Sequence, residues 1–169
     1  MQKEVIRLLH NFLAASASLV DHTRILAKDL YSNSPFWNEY NATVKATFAE
    51  SPISNFVKDL RNYFLHTKIP VISATLVPID EQMDSYINLH LDELRNWDGW
   101  KKKSKEYLAS QPSKIRLEVV CDDYWSIVES LYKWFADKQN IIHLAEFEQA
   151  KEIQNQMKIA LDKFRSAPK

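Results

Sequence analysis

Apolar residues at Val5, Leu8, Leu9, Phe12, Leu19, Leu26 and Leu30 recur at helical spacing, which predicts one long helix over about residues 2–31. Residues 14–18 within it carry only small side chains, so a second helix can approach closely there. The pattern breaks at residues 32–35, and Tyr40, Val44 and Phe48 mark a shorter helix. Ser51 and Pro52 restart the chain: the serine caps, and the proline occupies the first helical position, where its missing N–H costs nothing. Ile53, Phe56, Val57, Leu60 and Phe64 then form one stripe. This helix ends near His66, because Pro70 disfavours helix in the residue before it.

The texture changes over residues 71–91. The segments VISATLV and SYINLHL are β-branched or alternating, which predicts a two-stranded hairpin with residues 78–84 as its connection. Helical spacing returns at Asp92, is interrupted near Asp98 and Gly99, and continues to Ser110. Beyond Pro112, one strong helix is predicted over about residues 113–138 and a last one over about 141–164. No repeat and no long linker divides the chain. The expected fold is therefore mainly α. It is a single helical-bundle domain over residues 1–169, with the hairpin inserted at 71–91 and further helices over 92–169.

Composition narrows the chemistry. Gly99 is the single glycine in 169 residues, which excludes glycine-rich phosphate loops and dinucleotide-binding turns. Lys and Arg total 22 and Asp and Glu total 22, so no global basic field attracts nucleic acid and any such contact is local. Cys121 is the only cysteine, which rules out an intrachain disulfide and a cysteine zinc site. It reads as a buried or half-buried thiol, with Asp122 and Asp123 solvated, and its isolation points to a reducing, cytoplasmic setting. Residues 12–20 have the small apolar character of a signal peptide, but Glu4, His10 and Asn11 interrupt that pattern, and the segment reads as a helix of the mature protein. No apolar run approaches the length of a membrane span, so no membrane contact is expected. His10, His22, His90 and His143 lie far apart without metal-ligand spacing, and no metal or cofactor is expected. His90, between Leu89 and Leu91, falls on the exposed side of its strand.

One helix concentrates candidate chemistry. At 100° per residue from Ile53, the apolar stripe lies within about 60° of zero, Arg61 near 80°, Lys58 near 140°, Asn62 near 180° and His66 near 220°. Asn62 and His66 are an i,i+4 pair on the face away from the stripe, and the long Arg61 side chain can swing toward the same side. A guanidinium that grips phosphate, an amide and a titratable imidazole on one face suit phosphodiester chemistry. The same positions also fit a solvated face, with Arg61 a surface partner of Asp59 or Asn62; alternatively, His66 simply ends the helix at its negative pole.

The group Arg61, Asn62 and His66 resembles the signature of the HEPN superfamily: an Arg, four to six residues, then a His, often with a polar residue directly after the Arg. The resemblance covers some dozen residues and the helical setting before them. It implies a HEPN-like helical bundle and a metal-independent RNA endonuclease, of toxin–antitoxin or defence type, whose active site is shared across a homodimer. His66 would transfer protons, Arg61 would hold the phosphate and its developing charge, and Asn62 would orient. The partners implied are an RNA substrate, a second copy of the chain, and an antitoxin or regulatory protein. Lys58 and Lys68 are added here as phosphate contacts. The alternative is a catalytically silent HEPN-like binding or assembly module.

Members paired with a nucleotidyltransferase often carry a Tyr two residues after the His. Here Thr67 and Lys68 follow His66, so regulation through such a Tyr is not supported. Compact members are little more than four helices, which leaves the hairpin and the C-terminal helices as additions. The basic run Lys101, Lys102, Lys103 and Lys105 reads first as a solvated helix face, and under the ribonuclease reading as an RNA-backbone contact outside the cleft. Trp97 and Trp100 beside it read as core or interface, in preference to a stacking platform for bases.

Overall fold

The first stripe forms a single helix, α1 (Gln2–Tyr31), in a computed structural model that describes residues 2–79 and 82–166. Then follow α2 (Pro35–Val44), a π-helical segment (Lys45–Ala49) and α3 (Pro52–His66). Next come strands β1 (Ile72–Ile79) and β2 (Gln82–His90), helices α4 (Leu91–Arg95) and α5 (Lys102–Ser110), and strand β3 (Lys114–Arg116). Helices α6 (Leu117–Ile142) and α7 (Leu144–Ser166) complete the chain. Among the described residues the protein is mainly α, with seven α-helices and one small antiparallel sheet.

The chain divides into two compact units, Met1–Glu129 and Ser130–Lys169, and α6 runs through the boundary. The second unit holds the end of α6 and α7, separated only at His143. His143 keeps the backbone nearly helical there, donating its N–H to Gln139 O and accepting from Phe147 N–H, both at 3.0 Å. Ile153, Met157, Leu161 and Phe164 of α7 follow a helical stripe, yet all are exposed.

The first unit is built around α3, which packs against α1 on one side and α5 on the other. Ser51 caps α3 by accepting from the Ser54 N–H at 3.3 Å, with Pro52 in the first turn, as its sequence predicts. Phe56, Val57, Leu60 and Tyr63 are buried, and so is Asp59, at 1% exposure. The buried arc is thus rotated toward Asp59 and Tyr63 relative to the expected stripe, and Phe64 is only half-buried.

Asp59 explains the rotation. Its Oδ2 accepts from the Lys101 backbone N–H at 3.0 Å and from Ser104 Oγ at 2.7 Å. Lys101 is the N-cap residue of α5 and its own side chain makes no cap bond, so a carboxylate from α3 satisfies the orphan donor and meets the positive end of the α5 dipole. The reading of Asp59 as a surface partner for Arg61 is overturned, because the carboxylate is committed to α5. The other end of α5 is closed by Arg95, whose guanidinium donates to Leu108 O at 2.8 Å, Gln111 O at 2.6 Å and Pro112 O at 3.2 Å.

Aromatic rings fill the space between α3 and α5. Phe56 stacks on Tyr107 at 4.7 Å and on Trp100 at 5.4 Å, and Tyr63 meets Trp97 edge-on at 5.4 Å. Trp100 Nε1 donates to Leu94 O at 2.5 Å, satisfying its polar edge. Trp100 is therefore core and Trp97 half-buried beside it, and Ser104 in the basic run is fully buried while Lys101, Lys102 and Lys105 face solvent. Gly99 is needed for packing: a Cβ there would lie 2.2 Å from the Trp97 indole, which Tyr63 and Trp100 hold in place.

The hairpin forms with β1 and β2 antiparallel and Ile72 opposite Leu89. Its strands run further than expected: Pro78, Ile79, Gln82, Met83 and Asp84 are in the ladder, and residues 80 and 81 of the expected connection lie outside the described residues. His90 is half-buried, not on an open face, with Nε2 2.7 Å from Ser73 Oγ across the pair. The expected helix start at Ser113 is also corrected. Residues 114–116 form a third strand, pairing Leu89 with Ile115, and α6 begins at Leu117. Three residues are too few for periodicity to reveal a strand; burial of Ile115 against the sheet decides it. Asp59→Ala is expected to lower unfolding stability by about 3 kcal/mol in urea titration, and Asp59→Asn by roughly 1 kcal/mol, since the amide keeps an acceptor but no charge. An unchanged midpoint for Asp59→Ala would remove the cap from this account.

Candidate functional site

The candidate residues Lys58, Arg61 and Asn62 come from the face of α3 that turns away from α5. Arg61, Asn62 and Lys58 line a cavity of about 450 Å³ bounded by α1, the end of α2, the π-helical segment and Tyr124 of α6. Ser16, Ala17, Val20 and Asp21 come from α1, and Asn41, Val44, Lys45 and Phe48 from the α2 side. The small residues of α1 lie where α3 packs and where Tyr124 Oη of α6 donates to Ser16 O at 3.5 Å. Ser16 and Ala17 leave volume at this cavity, and Ala14 at a second one, where longer side chains would have filled the gap against α3.

The π-helical turn sets the opposite wall. Its wider i→i+5 closure, Glu50 N–H to Lys45 O at 3.1 Å, brings Lys45 and Phe48 onto the cavity. Asn55 on α3 secures it: Nδ2 donates toward Phe48 O, Ala49 O and Ser51 O at 3.1, 2.9 and 2.8 Å. Phe48 O and Ala49 O are carbonyls at the end of the π-helical segment, where intrahelical donors run out, while Ser51 O also accepts the Asn55 backbone N–H at 3.1 Å.

Charge around the cavity is unbalanced. Lys45, Lys58 and Arg61 line it, and no ion pair engages any of them among the described residues. The one lining carboxylate, Asp21, is paired with Arg24 at 3.1 Å. Arg61 is half-buried and its Nε is enclosed without a hydrogen-bond partner among the described residues. Asp59, two residues earlier, is turned to α5, so nothing on α3 neutralises the guanidinium.

His66 lines neither this cavity nor the second. It is exposed in the last turn of α3. Lys68 lies beyond α3 and is held by Glu93 at 3.2 Å; that hydrogen bond raises the ammonium above its ordinary pKa. Within one chain the expected residues therefore separate, with Lys58, Arg61 and Asn62 together and His66 and Lys68 apart. The imidazole that the structure does bring to Arg61 is His10, from α1. The two line a second cavity of about 180 Å³ with Leu13, Ala14, Phe64 and Leu65, and the His10 ring lies 5.4 Å from Phe64.

Sequence reasoning missed His10, Lys45 and Ser54. Ser54, Lys58 and Arg61 fall at i, i+4 and i+7 on α3, a polar row that helical spacing could have exposed. His10 and Lys45 reach the site only through packing of other helices, which leaves no local signal. Among the described residues there is no cluster of three or more His, Cys, Asp or Glu side chains able to hold a metal ion, and no helix is long and apolar enough to cross a membrane. Compared with family models, curated protein sequences and solved structures, the chain matches none of them.

Cys121 stands apart from this site, half-buried on α6 at a third cavity shared with Leu9, Phe12 and Tyr86. Burial, with a smaller contribution from Asp122, pushes its thiol up to about 11. Because the thiolate is the nucleophile, alkylation by iodoacetamide at pH 8 is expected to run about 100-fold slower in the folded protein than in urea, rising as pH approaches 11. Equal rates folded and unfolded would contradict the buried environment.

Proposed function

We propose that the chain is a HEPN-type, metal-independent RNA endonuclease whose active site is completed by a second copy of the chain. The observation that supports this most is the uncompensated Arg61 guanidinium, set beside Asn62 and Lys58, with the exposed His66 further along the same helix. A phosphodiester supplies the negative charge that this cluster lacks. In the reaction, the ribose 2′-oxygen attacks the adjacent phosphorus as its proton leaves. The bond to the 5′-oxygen breaks and that oxygen is protonated, giving a 2′,3′-cyclic phosphate and a 5′-hydroxyl. Arg61 stabilises charge on the phosphoryl oxygens, His66 moves a proton, Asn62 orients the group, and Lys58 and Lys68 contact flanking phosphates. His66 lies outside the Arg61 cavity in one chain, so the proton-transfer group and the phosphate ligand meet through dimerisation. An antitoxin or regulatory protein that covers this face would silence it, and the cytoplasm is the compartment this role requires.

A second reading, a catalytically silent HEPN-like binding module, is favoured by one specific observation: His66 is exposed while Arg61, Asn62 and Lys58 share a cavity. A 5′-labelled oligoribonucleotide incubated with the purified chain in EDTA separates the two. The ribonuclease reading expects cyclic-phosphate products, with Arg61→Ala and His66→Ala each slowing cleavage by at least about 100-fold at unchanged thermal stability. RNA retention that depends on Arg61 without any cleavage supports the binding module. Cleavage at equal rates by the wild type and both variants sinks the assignment of these residues.

A further inference from the structure

The cavity beside Arg61 carries more than a backbone phosphate uses. Ser54 is 6% exposed, lines the cavity, and its Oγ has no hydrogen-bond partner among the described residues. A hydroxyl so deeply placed ordinarily finds one, because an unmet buried polar group costs about 1–3 kcal/mol. Arg61 Nε, on the same wall, is enclosed and unmet in the same way. Lys45 and Lys58 add positive charge at the rim, where both are exposed. Val20, Val44, Phe48 and Tyr124 give the cavity an apolar, partly aromatic side, Asn41 and Asn62 are neutral polar lining, and the carboxylate of Asp21 is paired with Arg24. Tyr124 is itself buried, its ring edge-on to Phe12 at 5.8 Å, so that side of the cavity is firm. A volume near 450 Å³ falls in the range of small-molecule sites.

We propose that this cavity binds a small organic anion, a carboxylate or phosphate head carried on an aromatic body. The head meets Arg61 with Lys45 and Lys58 around it, Ser54 Oγ donates to one of its oxygens, and the ring lies along Phe48. Each unmet group then has a partner, and the apolar wall is covered. The inference stands on the cavity and does not rest on the ribonuclease reading.

Titration calorimetry on the full chain tests it with phenyl phosphate, benzoate and inorganic phosphate. At least one aromatic anion is expected to bind about tenfold or more tighter than inorganic phosphate, and the tighter of the two identifies the preferred head. Arg61→Gln is expected to weaken that binding about tenfold, and Ser54→Ala roughly fivefold. Ala17→Leu fills the cavity from the α1 side without removing a charge and is expected to abolish binding. Should a buried substitution unfold the chain, Lys58→Gln on an exposed position carries the test, with a loss of roughly threefold to fivefold expected. The proposal is overturned if both aromatic anions bind no tighter than inorganic phosphate, or if Arg61→Gln and Ala17→Leu, both folded, bind as the wild type does. Aromatic-anion binding without RNA cleavage leaves this proposal standing and removes the nuclease, whereas RNA cleavage without such binding does the reverse.

Discussion

A single buried carboxylate ties α5 to α3. Asp59 sits in the core at 1% exposure, and its charge is tolerable only because two donors at the start of α5 meet it. Helix α5 has nine residues, too few to be stable by itself. Asp59 from α3 closes its N-terminal end and Arg95 closes its C-terminal end, opposite charges at the poles that suit them. With α5 fixed, Trp100 is held against Phe56 and Tyr63, and Trp97 against Gly99. Removing the carboxylate would loosen the helix, the aromatic stack and the turn between α4 and α5 together.

The same commitment creates the site. A helix has one circumference, and on α3 the arc from Asp59 through Tyr63 to Phe56 is used by α5. Arg61, two residues after Asp59, therefore points to the other side, toward α1 and the π-helical turn. Its obvious counter-ion in sequence is spent on α5, and small residues on α1 keep space open around it. An unpaired guanidinium beside a cavity is the direct result of how α3 divides its faces, and both the phosphodiester reading and the organic-anion reading draw on it.

Much of this was legible before folding. The limits of α1, the Ser51 cap and Pro52 start of α3, its end at His66 and the hairpin around residues 71–91 all follow from local preferences that need no partner. The packing role of Trp97 and Trp100 was legible too, from their spacing, though only Trp100 is buried. Residues 114–116 were not, because a three-residue strand exists only by pairing with β2. The π-helical turn was not, because Asn55 stabilises its carbonyls from another helix. Asp59 was misread because an acidic residue in a helix is usually solvated, and its donors lie more than forty residues away in sequence.

By itself the sequence determined most of the helical segments, that one helix carries Lys58, Arg61, Asn62 and His66, and that no glycine-rich loop takes part in anion binding. Helical periodicity and backbone preference are local, so they survive without knowledge of neighbours. Only the tertiary structure decided that Arg61 keeps company with Lys45, Ser54 and, on its far side, His10, while His66 stands in solvent. Which face of a helix is covered depends on what the whole chain can bring against it, and for α3 that was settled by a carboxylate meeting the end of another helix.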